Sequence, residues 1–179
     1  MPKGIFKVPV PVNEPVKQYA AGSAERKELQ AMLKLMRSKE LDIPMYIGGK
    51  EVRGINKVRL APPHDHKHTL GYFYKSDKSH IELAVNAALA ARDKWINLSW
   101  EHRASIFLKA ADLIAGPYRT KLNAATMLGQ SKNAYQAEVD SACEMIDFLR
   151  FNVYFMTEIY AEQPISAPGM WNRLEWRPL

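Results

Sequence analysis

Residues 131–152 read SKNAYQAEVDSACEMIDFLRFN, and the period of this stretch decides the fold class. Tyr135, Val139, Ala142, Cys143, Ile146, Leu149 and Val153 recur at helical intervals, which predicts one long amphipathic helix from roughly 134 to 160 with these residues as its buried stripe. Asp140, Glu144 and Asp147 fall along another side. Carboxylates three and four residues apart lie above one another on a helix and repel unless water or a cation faces them. Phe148 and Phe151 flank the three acids, so this face is expected to be partly covered, by a ligand or a partner.

Further helices precede this one. Ser79 and Glu82 have capping-box spacing ahead of Ile81, Val85, Ala88, Leu89 and Trp95. Ser99 is placed to cap a run through Ile106, Phe107, Ala110 and Leu113 that stops at Gly116-Pro117, and Pro117 opens another run ending near Gly129. Nearer the start, Leu29, Met32, Leu33 and Met36 predict a helix from Ser23 to about Lys39. Between the helices the period shortens. IPMYIGGKEV (43–52) predicts a hairpin turned by Gly48 and Gly49, with VRLAPP and HTLGYFYK as further short strands, so that residues 43–74 form a small β meander.

At the two ends the expectations differ. Pro2, Pro9, Pro11 and Pro15 make residues 1–22 an extended arm, ordered only if it docks. Pro164 and Pro168 end the helical part (23–162). In 163–179, RLEWRPL alternates as a half-buried strand with no partner that follows it in this chain.

With 47% hydrophobic and 25% charged residues among 179, the chain has ordinary globular composition and can bury a core. The formal charge is +6, but 25 basic residues are scattered among 19 acids without a basic run, which excludes a nucleic-acid patch. No apolar run is long enough to span a membrane, and the start resembles neither a signal nor a transit peptide, so a cytoplasmic protein is expected.

Three groups could carry chemistry. His64, His66 and His68 alternate as metal ligands on a strand would, but two prolines precede them and no further cluster completes a site; they are read as an exposed, metal-free loop. Cys143, the single cysteine, falls on the apolar stripe and is read as a small hydrophobe rather than a nucleophile. No GxGxxG or GxxxxGK[ST] loop is present to cradle a nucleotide. The acidic face is the third group.

Words in the sequence add to this. NEPV (13–16), GSAER (22–26), ALAAR (88–92), FLKAADL (107–113), QAEVDSACEMIDFLRFN (136–152) and QPIS (163–166) resemble, in order, the N-terminal part of the delta-1-pyrroline-5-carboxylate dehydrogenase branch of the aldehyde dehydrogenases. The resemblance implies an α/β fold whose N-terminal portion is mostly helical, with residues 23–162 the helical N-terminal part of the NAD-binding domain and residues 163–179 a strand segment of the oligomerisation region. It also implies oxidation of L-glutamate γ-semialdehyde with NAD, in a homo-oligomer. In a eukaryote the compartment would be the mitochondrial matrix. Glu144 would be the carboxylate that faces the substrate's α-amino group. The dinucleotide sheet, oxyanion-hole Asn, general-base Glu and nucleophilic Cys of the family would follow residue 179, so this chain alone is expected to be inactive. The alternative is a stand-alone helical binding module without catalysis.

Overall fold

The computed structural model describes residue 4 and residues 6–177. Ser23 opens α1 (Ala24–Arg37) as expected, its side chain accepting the Arg26 N–H, while Lys34 and Arg37 in the last turn complement the helix dipole. Three short strands follow: β1 (Leu41–Ile43), β2 (Met45–Ile47) and β3 (Lys50–Val52). β2 and β3 form the expected hairpin, with Ile47 opposite Lys50. Gly48 and Gly49 have φ of 59° and 76°, the left-handed pair that a two-residue turn needs to match strand twist.

β4 (Lys57–Leu60) and β5 (Gly71–Tyr74) complete a second sheet in the order β1-β5-β4, parallel between β1 and β5 and antiparallel between β5 and β4. Gly71 lets the strands meet, since a Cβ there would lie 2.2 Å from the Leu41 carbonyl oxygen.

α2 (Lys78–Asn97) starts differently from the sequence expectation. Its cap is Asp77, whose side chain accepts the His80 N–H while the His80 ring takes the Asp77 N–H; Ser79 only donates its hydroxyl to Asp77. A histidine at the third helical position does here what Glu or Gln does in the usual box, which the sequence rule does not anticipate. Asp77→Ala should therefore cost about 1 kcal/mol in equilibrium denaturation and Ser79→Ala markedly less. Equal losses would return the cap to Ser79.

The expected stripe of α2 is not buried. Ile81, Val85 and Leu89 are 59%, 52% and 62% exposed, and no α2 residue is buried among those described. A helical stripe is covered only where a neighbouring element meets it, and α2 rests lightly on β2.

α3 (Trp100–Ala115) is capped by Ser99 and ends at Gly116, and α4 (Arg119–Gln130) ends where Ser131 turns left-handed at φ 58°. α5 (Ala134–Ala137) carries an Asn133/Gln136 capping box and runs through a π-helical turn, Glu138–Cys143, into α6 (Glu144–Ala161). α6 packs on α3, and α4 packs on α1. Tyr19, Leu29 and Ala124 form one buried cluster, with Met32, Leu33, Met36, Met127 and Ala134 against it.

The terminal segment pairs with no strand among the described residues. Residues 162–177 contain no strand, and Leu174 and Trp176 are exposed. The Gln163 side-chain amide instead bonds both the N–H and the carbonyl of Leu174, at 2.9 and 3.3 Å, in place of a ladder partner. The last two residues of the expected strand, and residues 1–3 and 5 of the arm, lie outside the described residues.

Candidate functional site

The site is built on the π-helical turn. One extra residue in a helical turn rotates everything after it by roughly 100° relative to what came before. The rotation moves Ala137 and Glu138 onto the face of Ala142, Cys143, Ile146 and Val153, all of them buried, and leaves Tyr135, expected in the stripe, 61% exposed. Val139 and Leu149 are half-buried. All seven apolar positions also fit an unbroken helix, so periodicity carries no sign of the extra residue.

The consequence is a fully buried carboxylate, Glu138, that hydrophobic patterning missed. Arg119, itself 2% exposed at the start of α4, donates to it through Nε and Nη2. Tyr19 donates its hydroxyl at 2.8 Å, Asn123 its amide at 2.7 Å and Lys17 its backbone N–H at 2.8 Å. Burial alone would raise the carboxyl, but these donors outweigh it, and the pKa is lowered from 4.5 to about 2. Tyr19 shifts upward, through burial first and then through its bond to the Glu138 carboxylate. Its backbone is left-handed at φ 52°, a conformation unusual outside glycine that this cluster holds in place.

The same cluster docks the arm. Arg119 also pairs with Glu14 and donates to the Pro15 carbonyl at 2.7 Å, and Arg150 of α6 reaches the other Glu14 oxygen at 2.6 Å. Asp147 accepts the Glu14 N–H and the Asn13 side chain, each at 2.7 Å. From the sequence, Asp147 belongs to an acidic face served by solvent or a ligand; here it tethers the arm.

Asp140 is paired with Lys132 at 2.8 Å. Glu144 differs from both: it is exposed and, among the described residues, has no hydrogen-bond or ion-pair partner. It stands on a ridge, Asp140–Glu144–Phe148–Asn152, where two grooves meet. One, of about 520 Å³, is walled by Phe107, Met145 and Met156; the other, of about 590 Å³, is walled by Asn13, Glu14 and Val16 of the arm with Phe151 and Phe155. Such a carboxylate beside aromatic walls can accept two or three N–H bonds from an ammonium group. Phe148 is itself 57% exposed, so within this chain the acidic face is more open than the two phenylalanines suggested.

Cys143 is buried beside this cluster, its Sγ 3.3 Å from Arg119 and 3.7 Å from Glu138. Burial, then the Glu138 charge, push its thiol up to about 11. That setting disfavours the thiolate a nucleophile needs, and it is more polar than an apolar stripe implies.

The histidines lie in turns, not on a strand. His64 and His66 are exposed; His64 Nδ1 is 2.8 Å from the Ser131 hydroxyl. His68 is half-buried rather than exposed, its Nε2 enclosed without a hydrogen-bond partner. No three His, Cys, Asp or Glu side chains gather as ligands among the described residues. Nor do the described strands lead through a glycine-rich loop into a helix, so the residues present form no cradle for a dinucleotide. No described helix is long and apolar enough to cross a membrane.

The chain is similar in sequence and fold to known proteins. The chain is 51% identical over 176 residues to delta-1-pyrroline-5-carboxylate dehydrogenase of Agaricus bisporus, covering 97% of this chain and 32% of that protein. It is 47% identical to the mitochondrial enzyme of Emericella nidulans, covering 97% and 31%. The crystal structure of the Mycobacterium tuberculosis delta-pyrroline-5-carboxylate dehydrogenase bound with NAD is 47% identical, superimposes with a TM-score of 0.97, and is matched over 99% of this chain and 33% of its own. A Thermus 1-pyrroline-5-carboxylate dehydrogenase with bound NAD, 26% identical, gives 0.81 over 92% of this chain and 32% of its own. The chain thus spans about a third of the length of these relatives. Residues 51–179, from the hairpin through the π-helical turn to the terminal segment, match the aldehyde dehydrogenase family, and with that match the fold and the helical site have one origin: this chain belongs to the aldehyde dehydrogenase family.

Proposed function

We propose that this chain forms part of an NAD-dependent dehydrogenase that oxidises L-glutamate γ-semialdehyde, the open form of delta-1-pyrroline-5-carboxylate, to L-glutamate in proline catabolism. Within it, Glu144 receives the substrate's α-amino group. The observation that carries the reading is that Glu144, alone of the three acids on its face, has no partner among the described residues and stands where two grooves meet. The names of the relatives support the substrate, and the NAD-bound neighbours support the cofactor. The residues here do not hold NAD, and the aldehyde chemistry belongs to parts of the enzyme outside this chain. What this chain contributes is a wall that orients the amino end of the substrate.

Such an enzyme works as a homo-oligomer in the cytoplasm, or in the mitochondrial matrix of a eukaryote, where the Emericella and Bos taurus relatives are named as mitochondrial. The remainder of the enzyme is the natural cover for the apolar face of α2.

In the full-length enzyme, Glu144→Gln should lower kcat/KM for glutamate semialdehyde by roughly 1 to 3 kcal/mol, about 5- to 150-fold, the scale of a charge-assisted hydrogen bond. A simple aldehyde such as propanal, which has no amino group, should lose much less. Equal losses would show that Glu144 supports the fold instead of reading the substrate.

A further inference from the structure

We infer that Glu14 and Asp147 are positioning residues for the Glu144 site: by holding the amino-terminal arm against the π-helical turn, they set the direction in which Glu144 meets the substrate. This rests on the amino-group reading above and extends it to residues that act through Glu144.

The π-helical turn ends on Glu144 itself, whose backbone N–H donates to the Val139 carbonyl five residues back. A turn of this kind is less favourable than the α-helix it interrupts and persists where side chains hold it. Here the holders are visible. Glu138, at the start of the turn, is fixed by Arg119, Tyr19, Asn123 and the Lys17 N–H; Ser141, inside it, donates its one hydroxyl hydrogen to the Ala137 carbonyl, with Asn123 Oδ1 the more distant acceptor at 3.3 Å. If the extra residue were absorbed into an α-helix, Glu144 would swing by roughly 100° relative to Glu138 and leave the ridge between the grooves.

The arm closes the arrangement. Glu14 bridges Arg119 on α4 and Arg150 on α6, so a single carboxylate links the arginine that holds Glu138 to the helix that follows the turn. Asp147, one helical turn beyond Glu144, holds the backbone of Glu14. Asn13, Glu14 and Val16 then form the far wall of the larger groove, across from Glu144 and Phe148. The arm is therefore a buttress of the ammonium site as well as a packed tail. Misplacement of a binding group by even about 1 Å can lower a rate by up to about 100-fold, so loss of the buttress should be legible in substrate choice.

The test is a double-mutant cycle in the full-length enzyme, read as the ratio of kcat/KM for glutamate semialdehyde to that for propanal. Glu14→Gln, and independently Asp147→Ala, should each lower this ratio by roughly ten-fold, chiefly through KM for the amino-bearing substrate. In a Glu144→Gln background neither should lower it further, because both act through Glu144. A fall of equal size for both substrates, or an unchanged ratio, would mean that the arm only stabilises the fold, and the inference fails. An undiminished effect in the Glu144→Gln background would also overturn it, since the arm would then read the substrate by itself. If Glu144→Gln alone leaves the ratio unchanged, the amino-group reading falls first and the positioning role falls with it. Thermal midpoints for the same variants identify any that unfold, and Asp147→Ala, which leaves the Arg119–Glu138 pair intact, keeps the test open if Glu14→Gln does.

Discussion

Arg119→Ala is expected to destabilise the fold by about 3–5 kcal/mol, because it leaves the Glu138 carboxylate buried without its cation. Glu138 is fully buried and Arg119 nearly so, and the guanidinium also holds Glu14 and the Pro15 carbonyl. Removing it therefore strands a charge and releases the arm in one step. Arg119→Lys should recover part of the loss, since one ammonium cannot reproduce a fork that reaches Glu14, Pro15 and Glu138 together. Denaturation midpoints of the full-length enzyme measure both. A loss under about 1 kcal/mol for Arg119→Ala would mean that water reaches Glu138 and the cluster is not the anchor described.

The same cluster sets an acid limit. Glu138 has its pKa lowered in the folded state to about 2, so its contribution is complete above the ordinary carboxyl value of 4.5 and is lost as pH falls toward 2. Stability measured between pH 6 and 2.5 should fall more steeply in the native protein than in Glu138→Gln, which has no proton to take up there.

Much of this architecture is legible in the sequence because local rules decide it. The Ser23 and Ser99 caps, the Gly48-Gly49 hairpin and the stop at Gly116 each depend on one or two residues whose backbone preferences dominate. The π-helical turn is illegible for the opposite reason. Its cause is long-range, a buried Glu138 answered by Tyr19, Arg119 and Asn123 from other elements, and an uninterrupted helix explains the apolar positions equally well. The α2 stripe is a third case. Ile81, Val85 and Leu89 have the period of a core helix, yet the element that would cover them is not among the described residues. The terminal alternation is a related case: a strand needs a partner, and among the described residues Leu174 bonds the Gln163 amide in place of one. At the acidic face, sequence spacing marked the right three carboxylates but could not separate them, because Lys132 and the arm that satisfy Asp140 and Asp147 are placed by tertiary structure.

A second large effect is expected from the 179-residue chain by itself: no aldehyde-dependent formation of NADH. Oxidation of an aldehyde in this family needs a thiolate to add to the carbonyl, and the only thiol here is Cys143. Cys143 lines the larger groove, but its Sγ is buried against Arg119 and Glu138, and with its pKa pushed up to about 11 it stays a thiol at pH 7. Among the described residues, no strand leads through a glycine-rich loop into a helix that could cradle a dinucleotide. NADH formation by the purified 179-residue chain that disappears on Cys143→Ser would contradict the assignment of the chemistry to the rest of the enzyme.

The most direct measurement is steady-state NADH formation by the full-length enzyme with glutamate semialdehyde and with propanal. The account predicts turnover with both and a kcat/KM at least ten-fold higher for the amino-bearing aldehyde, the contribution of roughly one charge-assisted hydrogen bond at Glu144. Equal values for the two aldehydes, or turnover of propanal alone, would contradict it.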